Sequence, residues 1–311
     1  MRVVAIVGPT ASGKSALALE VAFRTGGEIV NADALQVYRG LDIGTAKPSL
    51  EERRAVRHHL VDILEPEESF SAGEFARRAR EAIRDIQARG KLAIVVGGSG
   101  LYLRSLFDGL KELPQHQPEV RLALQEELGS RGLPALYQEL SHIDPETAQR
   151  LRSTDTQRIL RALEVFRCSG LPLSWWMSRE NVTRPINRLM IGLTLPRTIL
   201  YDRIAVRVRD MVRRGWVSEV AALLEIGTSP SAPAFQAIGY QQMVRHLEGR
   251  STLGAATEEA ILATRHYAKR QETWFRRERD LSWFQGPHPE NAVPFLLQEL
   301  RREELTLDEQ A

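Results

Sequence analysis

The chain has 311 residues, 43% of them hydrophobic and 26% charged, with a formal charge of +2. That length allows two domains or one elaborated one, with core enough to do without disulfides, and the composition excludes wholesale disorder. A polyanionic partner must therefore be met by local basic patches, because there is no strong global field. The single cysteine, Cys168, excludes an intramolecular disulfide framework and a cysteine-cluster metal site, and it fits a reducing compartment. No apolar run approaches the ~18 residues of a membrane span. The apolar part of Met1 to Gly8 is too short for a signal peptide. The expectation is a cytoplasmic, soluble monomer with no membrane contact.

Val3 to Val7 reads as a buried strand. Gly8-Pro9-Thr10-Ala11-Ser12-Gly13-Lys14-Ser15 follows, and Leu17, Ala18, Val21 and Ala22 then recur at helical spacing. Those eight residues fit G-x-x-x-x-G-K-[ST] at every position, between a strand and a helix, where the motif works. Its glycines let backbone N–H groups wrap a phosphate cluster, and the helix adds its positive N-terminal end. Lys14 neutralises phosphate charge, and Ser15 is the candidate ligand of Mg²⁺. A bound di- or triphosphate with Mg²⁺ is the expectation.

Glu28 to Asp33 reads as a second strand and Leu60 to Leu64 as a third. Ser71-Ala72-Gly73-Glu74 has the form of a capping box, and Phe75, Ala79, Ala82 and Ile86 repeat behind it at helical spacing. Leu92 to Val96 is a fully apolar strand running into Gly97-Gly98-Ser99-Gly100. Short apolar strands separated by helices predict a parallel sheet covered on both faces. The fold class is α/β, a P-loop NTPase-like parallel sheet flanked by helices. Nucleotide hydrolases carry an acid after such a later strand. Its absence here counts against an ATPase or GTPase switch. The acid is Asp33, at the strand edge that the phosphate loop shares. From spacing alone, Asp33 fits a cap or turn residue equally well.

The pattern changes near Leu113-Pro114. Pro118 suits a first helical turn, with Val120, Leu124 and Leu128 behind it and Gly132 as a stop; Thr156 to Cys168 is a second helix, ended by Gly170. Strand character returns at Leu189 to Leu195 and again at Leu281 to Phe284, and Thr228 to Pro233 is a loop. The predicted organisation is a discontinuous core domain, residues 1–115 and 185–311, with an all-helical insertion at 116–184. The last ten or so residues are polar and acidic and read as frayed.

Of 42 basic residues, five are lysine and the other 37 arginine. This fits either a compositional bias or a preference for bidentate phosphate contacts. The arginines concentrate at Arg203 to Arg214 and at Arg265 to Arg277, the second interleaved with Tyr267, Trp274 and Phe275. Such interleaving suits backbone contact plus stacking on unpaired bases, although Trp274 and Phe275 suit a core as well. On a helical wheel Gln157, Arg158 and Arg161 fall opposite Ile159, Leu160, Leu163 and Phe166, with Val165 the exception. His58-His59 has no metal-ligand company and reads as structural.

The ordered series of the phosphate loop, Asn31-Ala32-Asp33-Ala34-Leu35-Gln36-Val37-Tyr38, Asp42-Ile43-Gly44-Thr45-Ala46-Lys47-Pro48, His58-His59-Leu60-Val61-Asp62, Val96-Gly97-Gly98-Ser99-Gly100-Leu101-Tyr102 and Asp155-Thr156-Gln157-Arg158-Ile159-Leu160-Arg161 resembles the bacterial tRNA dimethylallyltransferases. The likeness runs from residue 3 to about residue 276. It implies transfer of a dimethylallyl group from dimethylallyl diphosphate to N6 of adenosine 37, next to the anticodon of tRNA, with the loop gripping the donor's diphosphate. It implies that Asp33 accepts the amine proton and that Thr10 and an arginine of the Leu200 to Met211 segment contact the diphosphate. Arg203 and Arg207 both lie there, and Arg207 is favoured. It implies tRNA contacts at Asp33, Ala34, Leu35, Gln36, Ser99, Arg121, Gln157, Arg158, Ile159, Leu160 and Arg161, with Asp33 and Gln36 holding the target adenine. The family commonly has Ser at Ala34 and often Thr at Ser99; neither change removes the chemistry. The rivals are an enzyme that prenylates a free adenine nucleotide, a P-loop small-molecule kinase, and a non-catalytic RNA-binding module.

Overall fold

A computed structural model describes residues 3–109, 111, 113–114, 117–179, 185–278 and 280–308. The chain divides into two compact units, Met1–Phe107 with Pro185–Ala311, and Asp108–Arg184.

The larger unit runs β1 (Val3–Val7), α1 (Lys14–Thr25), β2 (Glu28–Asn31), α2 (Leu50–Ala55), β3 (His58–His59), α3 (Ala72–Ala88), β4 (Ala93–Gly97) and α4 (Gly100–Phe107). After the insertion come β5 (Arg188–Thr194), α9 (Arg197–Arg213), α10 (Trp216–Glu225), α11 (Tyr240–Leu247), α12 (Leu253–Phe275), β6 (Leu281–Gln285) and α13 (Ala292–Asp308). The strands form one sheet in the order β3-β2-β4-β1-β5-β6, and every pairing is parallel.

Strand periodicity explains why β1 reads as unbroken apolar sequence. Val3, Ala5 and Val7 pack on one face against Phe75, Ala79 and Ile83 of α3 and Leu106 of α4. Val4 and Ile6 pack on the other face against Leu17, Ala18 and Val21 of α1 and Val293 and Leu296 of α13. A strand buried on both faces has no polar side to show. A third core gathers α9 to α12 around Trp216, Tyr240 and Phe235. The Ser71 hydroxyl accepts from the Glu74 N–H to start α3. The return half of the capping box is missing, because the Glu74 carboxylate pairs with Arg77 and Arg78 instead.

Two local expectations fail. No strand forms over Leu60 to Leu64; β3 is His58–His59, and Leu60 and Asp62 turn into the left-handed region at φ 62° and 55°. Lys47 and Arg53 hold the Asp62 carboxylate, which fixes that turn. Only Leu64 regains a parallel bridge, to Tyr38. At the C-terminus α13 continues to Asp308, because Ala292, Val293 and Leu296 anchor its first turns in the core; the rest of the stretch expected to fray, 309–311, lies outside the described residues.

The smaller unit holds α5 (Pro118–Ile143), α6 (Pro145–Arg150), α7 (Thr156–Ser169) and α8 (Leu173–Ser178). Gly132 does not end α5 but breaks it, at φ 76° and ψ 161°, and the helix resumes at once. Leu124, Leu136 and Leu140 of α5 pack on Ile159, Leu160 and Leu163 of α7. Among the described residues no helix is long and apolar enough to cross a membrane.

Candidate active site

Three strands deliver the site to one edge of the sheet. β1 ends in the 8–13 loop, β2 leads to Asp33, and β4 leads to Gly97 to Ser99. The exits of β2 and β4 touch: a Cβ on Gly97 would lie 2.2 Å from the Ala32 carbonyl oxygen, so only glycine fits. The loop bends into α1 through Gly13 at φ 102°.

Not every loop amide is free for a ligand. The Thr10 N–H donates to Gln271 Oε1 at 2.9 Å, and Gln271 Nε2 donates to the Gly98 carbonyl at 3.0 Å. One buried glutamine of α12 thus ties the β1 and β4 loops together. The Ser12 N–H donates to the Pro9 carbonyl, and Lys14 Nζ donates to the same oxygen at 2.6 Å.

Burial of the Lys14 ammonium, with the Arg207 charge adding, lowers its pKa from 10.5 to about 7, and Asp33 opposes the shift. Burial also lowers the Arg207 pKa, Asp33 opposing and Arg203 adding. Arg203 Nε donates to the Ala11 carbonyl at 2.9 Å, so it braces the loop. Two cavities meet here. A solvent-open one of about 620 Å³ is lined by Lys14, Ser15, Arg203 and Arg207 among others. A smaller one of about 90 Å³ is lined by Thr10, Asp33 and Arg207 and by apolar side chains. Ala11 and Arg207 border both.

The linkage sign at Lys14 is definite. A bound diphosphate favours its charged form, so above pH 7 binding must take up a proton, and affinity falls by up to about tenfold per pH unit. Below pH 7 the lysine is already charged and its contribution is flat. Calorimetry of inorganic diphosphate in buffers of differing ionisation enthalpy should find this uptake at pH 8 and find it lost in Lys14→Met. Equal uptake in the two proteins would remove Lys14 from the linkage.

Asp33 is both a turn residue and a cavity-lining residue. Oδ1 accepts from the Leu35 N–H at 2.9 Å, an Asx turn, and the side chain lines the smaller cavity. Leu35 lines that cavity too, and Ala34 packs towards the α3 face of the sheet. Gln36 is not brought to this cavity. Its Nε2 donates to the carbonyls of Thr45 and Ala46, both at 3.1 Å, and it lines a separate cavity of about 100 Å³ with Ser15, Asn31 and His58. Ser99 lies beside the Tyr267 hydroxyl. Burial, with Asp33 adding, raises the Tyr267 pKa to about 12, so it remains a phenol beside that carboxylate. His58 bonds the Val56 carbonyl and His59 bonds Glu28; among the described residues no cluster suited to a metal ion forms.

Helix α12 is two-faced. Ala268, Gln271 and Phe275 face inward, and His266, Lys269, Arg270, Thr273, Trp274 and Arg277 line a solvent-open hollow of about 420 Å³. Phe275 is core; Trp274 is half-buried, with the Arg104 guanidinium 4.5 Å over its ring. Gln271 and Trp216 were not legible as site residues, and Tyr267 was legible only as an aromatic of the basic stretch. For Tyr267 and Gln271 the available signal was their helical spacing inside the basic stretch.

In the smaller unit Gln157 and Arg158 are exposed at the start of α7, and Arg121 donates to Gln157 Oε1 at 2.9 Å. Arg161 bonds Glu164 at 3.0 Å and the Pro114 carbonyl at 3.2 Å. The expected contacts at Ile159 and Leu160 do not hold for their side chains. Both are buried in the core of this unit, where the α7 wheel already put them opposite the arginines.

A parallel sheet with a glycine-rich phosphate loop, a lysine and an arginine at that loop, and an acid after β2 in place of β4 defines a P-loop-fold enzyme for a phosphate-bearing substrate that is not built as a hydrolytic switch. The model of the IPP transferase family matches residues 36–278, and the chain belongs to that family. It is 48% identical over 287 residues to the tRNA dimethylallyltransferase of Geobacter metallireducens, covering 92% of this chain and 93% of that one. Among solved structures it is similar to the tRNA isopentenylpyrophosphate transferase of Bacillus halodurans, with 37% identity, a TM-score of 0.72 and 99% of each chain covered. It is also similar to a eukaryotic dimethylallyltransferase acting on tRNA, with 29% identity, a TM-score of 0.78, and 91% of this chain and 73% of that one covered.

Proposed function

We propose that the chain transfers a dimethylallyl group from dimethylallyl diphosphate to N6 of the adenine 3′ to the anticodon of tRNA and releases diphosphate. The observation that carries this reading is one cleft in which a lysine and an arginine flank the phosphate loop, with a carboxylate and an apolar cavity beside them. An exocyclic adenine amine is a weak nucleophile, its lone pair delocalised into the ring. Attack on carbon therefore needs a stabilised leaving group and a base. The N6–C bond forms as the C–O bond to diphosphate breaks, and the amine proton passes to Asp33. Lys14, Arg207 and the free loop amides hold the charge that develops on the departing diphosphate. Ser15 borders the cavity lined by Lys14, and its hydroxyl together with diphosphate oxygens suits a hard cation such as Mg²⁺. When bound, that ion neutralises leaving-group charge. Thr10 contributes its hydroxyl, since its N–H is held by Gln271.

The tRNA is a polyanion, and each unit offers it arginines: Arg121, Arg158 and Arg161 in the smaller, and the hollow of α12 in the larger. The target base must leave its stack to reach Asp33. If six phosphates are contacted, affinity should drop about 10³-fold between 50 and 200 mM salt. Filter binding across that range checks this, and a flat profile would remove these arginines as the docking surface. The function itself is tested by incubating purified protein with dimethylallyl diphosphate, Mg²⁺ and unmodified tRNA, without ATP. The expected product nucleoside is heavier by one five-carbon unit. Transfer to free adenosine monophosphate but not to tRNA, or product formed only with ATP, would replace this reading.

A further inference from the structure

The smaller cavity is lined by polar and apolar groups together. Thr10, Asp33, Arg207 and Tyr267 are among its polar lining; Met211, Ile238 and Trp216 are among its apolar wall. Trp216 is the first residue of α10 and is 2% exposed. Its indole cannot retreat from the cavity. A Cβ on Gly44 would lie 2.0 Å from its Nε1, and one on Gly239 would lie 1.9 Å from its six-membered ring, so both glycine backbones are already in contact with it. Tyr240 meets it edge-on at 5.5 Å and 73°.

These supports are themselves tied down. One carboxylate, Glu219, accepts from the N–H groups of Asp42 (2.8 Å), Ile43 (2.6 Å) and Gly44 (3.2 Å) and from the Tyr240 hydroxyl (2.7 Å). Glu219 lies three residues beyond Trp216 on α10. The helix that carries the indole thus also grips the turn and the tyrosine behind it. Trp216 is a fixed wall.

Given the function proposed above, a donor whose diphosphate lies at Lys14 and Arg207 must lay its hydrocarbon in this cavity. An apolar cavity of about 150 Å³ takes a six-carbon ring. The space here is about 90 Å³, room for a five-carbon chain but not for ten carbons. We infer that Trp216, held by Gly44, Gly239 and Glu219, is the specificity-determining residue that limits the prenyl donor to five carbons.

The experiment measures kcat/KM for dimethylallyl and geranyl diphosphates with tRNA, scored by product mass, in wild type, Trp216→Phe and Met211→Ala. Thermal unfolding of each variant shows that it is folded. Wild type should transfer only the five-carbon group. Each folded variant should raise the ratio of geranyl to dimethylallyl transfer by about 10–200-fold, the range that one methylene of pocket space discriminates. The inference is overturned if wild type already uses geranyl diphosphate comparably, or if folded Trp216→Phe keeps dimethylallyl transfer and still refuses the longer donor, whatever Met211→Ala does. A wild type inert towards both donors would overturn the functional reading, and the length limit with it.

Discussion

Asp33→Asn is expected to lower the single-turnover rate of prenyl transfer by about 10²–10⁴-fold, the scale on which a positioned general base acts. The amide keeps an oxygen for the Leu35 N–H, so the Asx turn of the parent survives and the fold is not at stake. What is lost is an acceptor for the amine proton, and with it the only means in the proposed mechanism of making N6 nucleophilic as its C–N bond forms. Asp33 also places negative charge where the diphosphate comes to lie, since it acts electrostatically on both Lys14 and Arg207. Its removal should therefore leave diphosphate affinity undiminished. Rapid-quench measurement at saturating tRNA, with a separate diphosphate titration, separates the two. A rate within threefold of wild type would take the proton-accepting role away from Asp33.

Arg207→Ala should cost about 10²–10³-fold in kcat, the loss seen when a single preorganised donor is removed from a developing charge. It is half-buried and borders both cavities, which in the proposed mechanism puts it where the bond to carbon breaks. Arg203→Ala should cost far less, because that side chain spends its Nε on the Ala11 carbonyl and lines the solvent-open cavity but not the one that holds Asp33. Steady-state kinetics of the pair decides between them. If Arg203→Ala were the slower enzyme, the assignment would be reversed.

Much of this was readable in one dimension. Val3 to Val7 is apolar at both odd and even positions because it is covered on both faces, and that regularity also located β4 and β5. The phosphate loop carries its chemistry in consecutive residues, so it needs no tertiary information. Sequence failed where tertiary partners decide. Leu60 to Leu64 has strand composition, yet the grip of Lys47 and Arg53 on Asp62 favours a turn over extension. The resemblance put Gln36 with Asp33 at the adenine. In the fold its amide serves the Thr45 and Ala46 carbonyls, a contact that spacing cannot reveal. Gln271 lies 261 residues from Thr10, whose N–H it holds, and nothing in the neighbourhood of Trp216 marks it as a cavity wall. Ile159 and Leu160 were drawn into the site by the adjacency of a motif, although their own helical periodicity assigned them to the core.

The central claim is that the 8–15 loop holds a diphosphate as leaving group while Asp33 faces the attacking amine. Crystals grown with an unreactive thiolo analogue of dimethylallyl diphosphate and an anticodon stem-loop test it most directly. The account predicts the diphosphate on the loop within reach of Lys14 and Arg207, the hydrocarbon pointing to Trp216, and N6 of the unstacked adenine within hydrogen-bond distance of Asp33. A donor seated elsewhere, or an adenine whose amine faces away from Asp33, would contradict it.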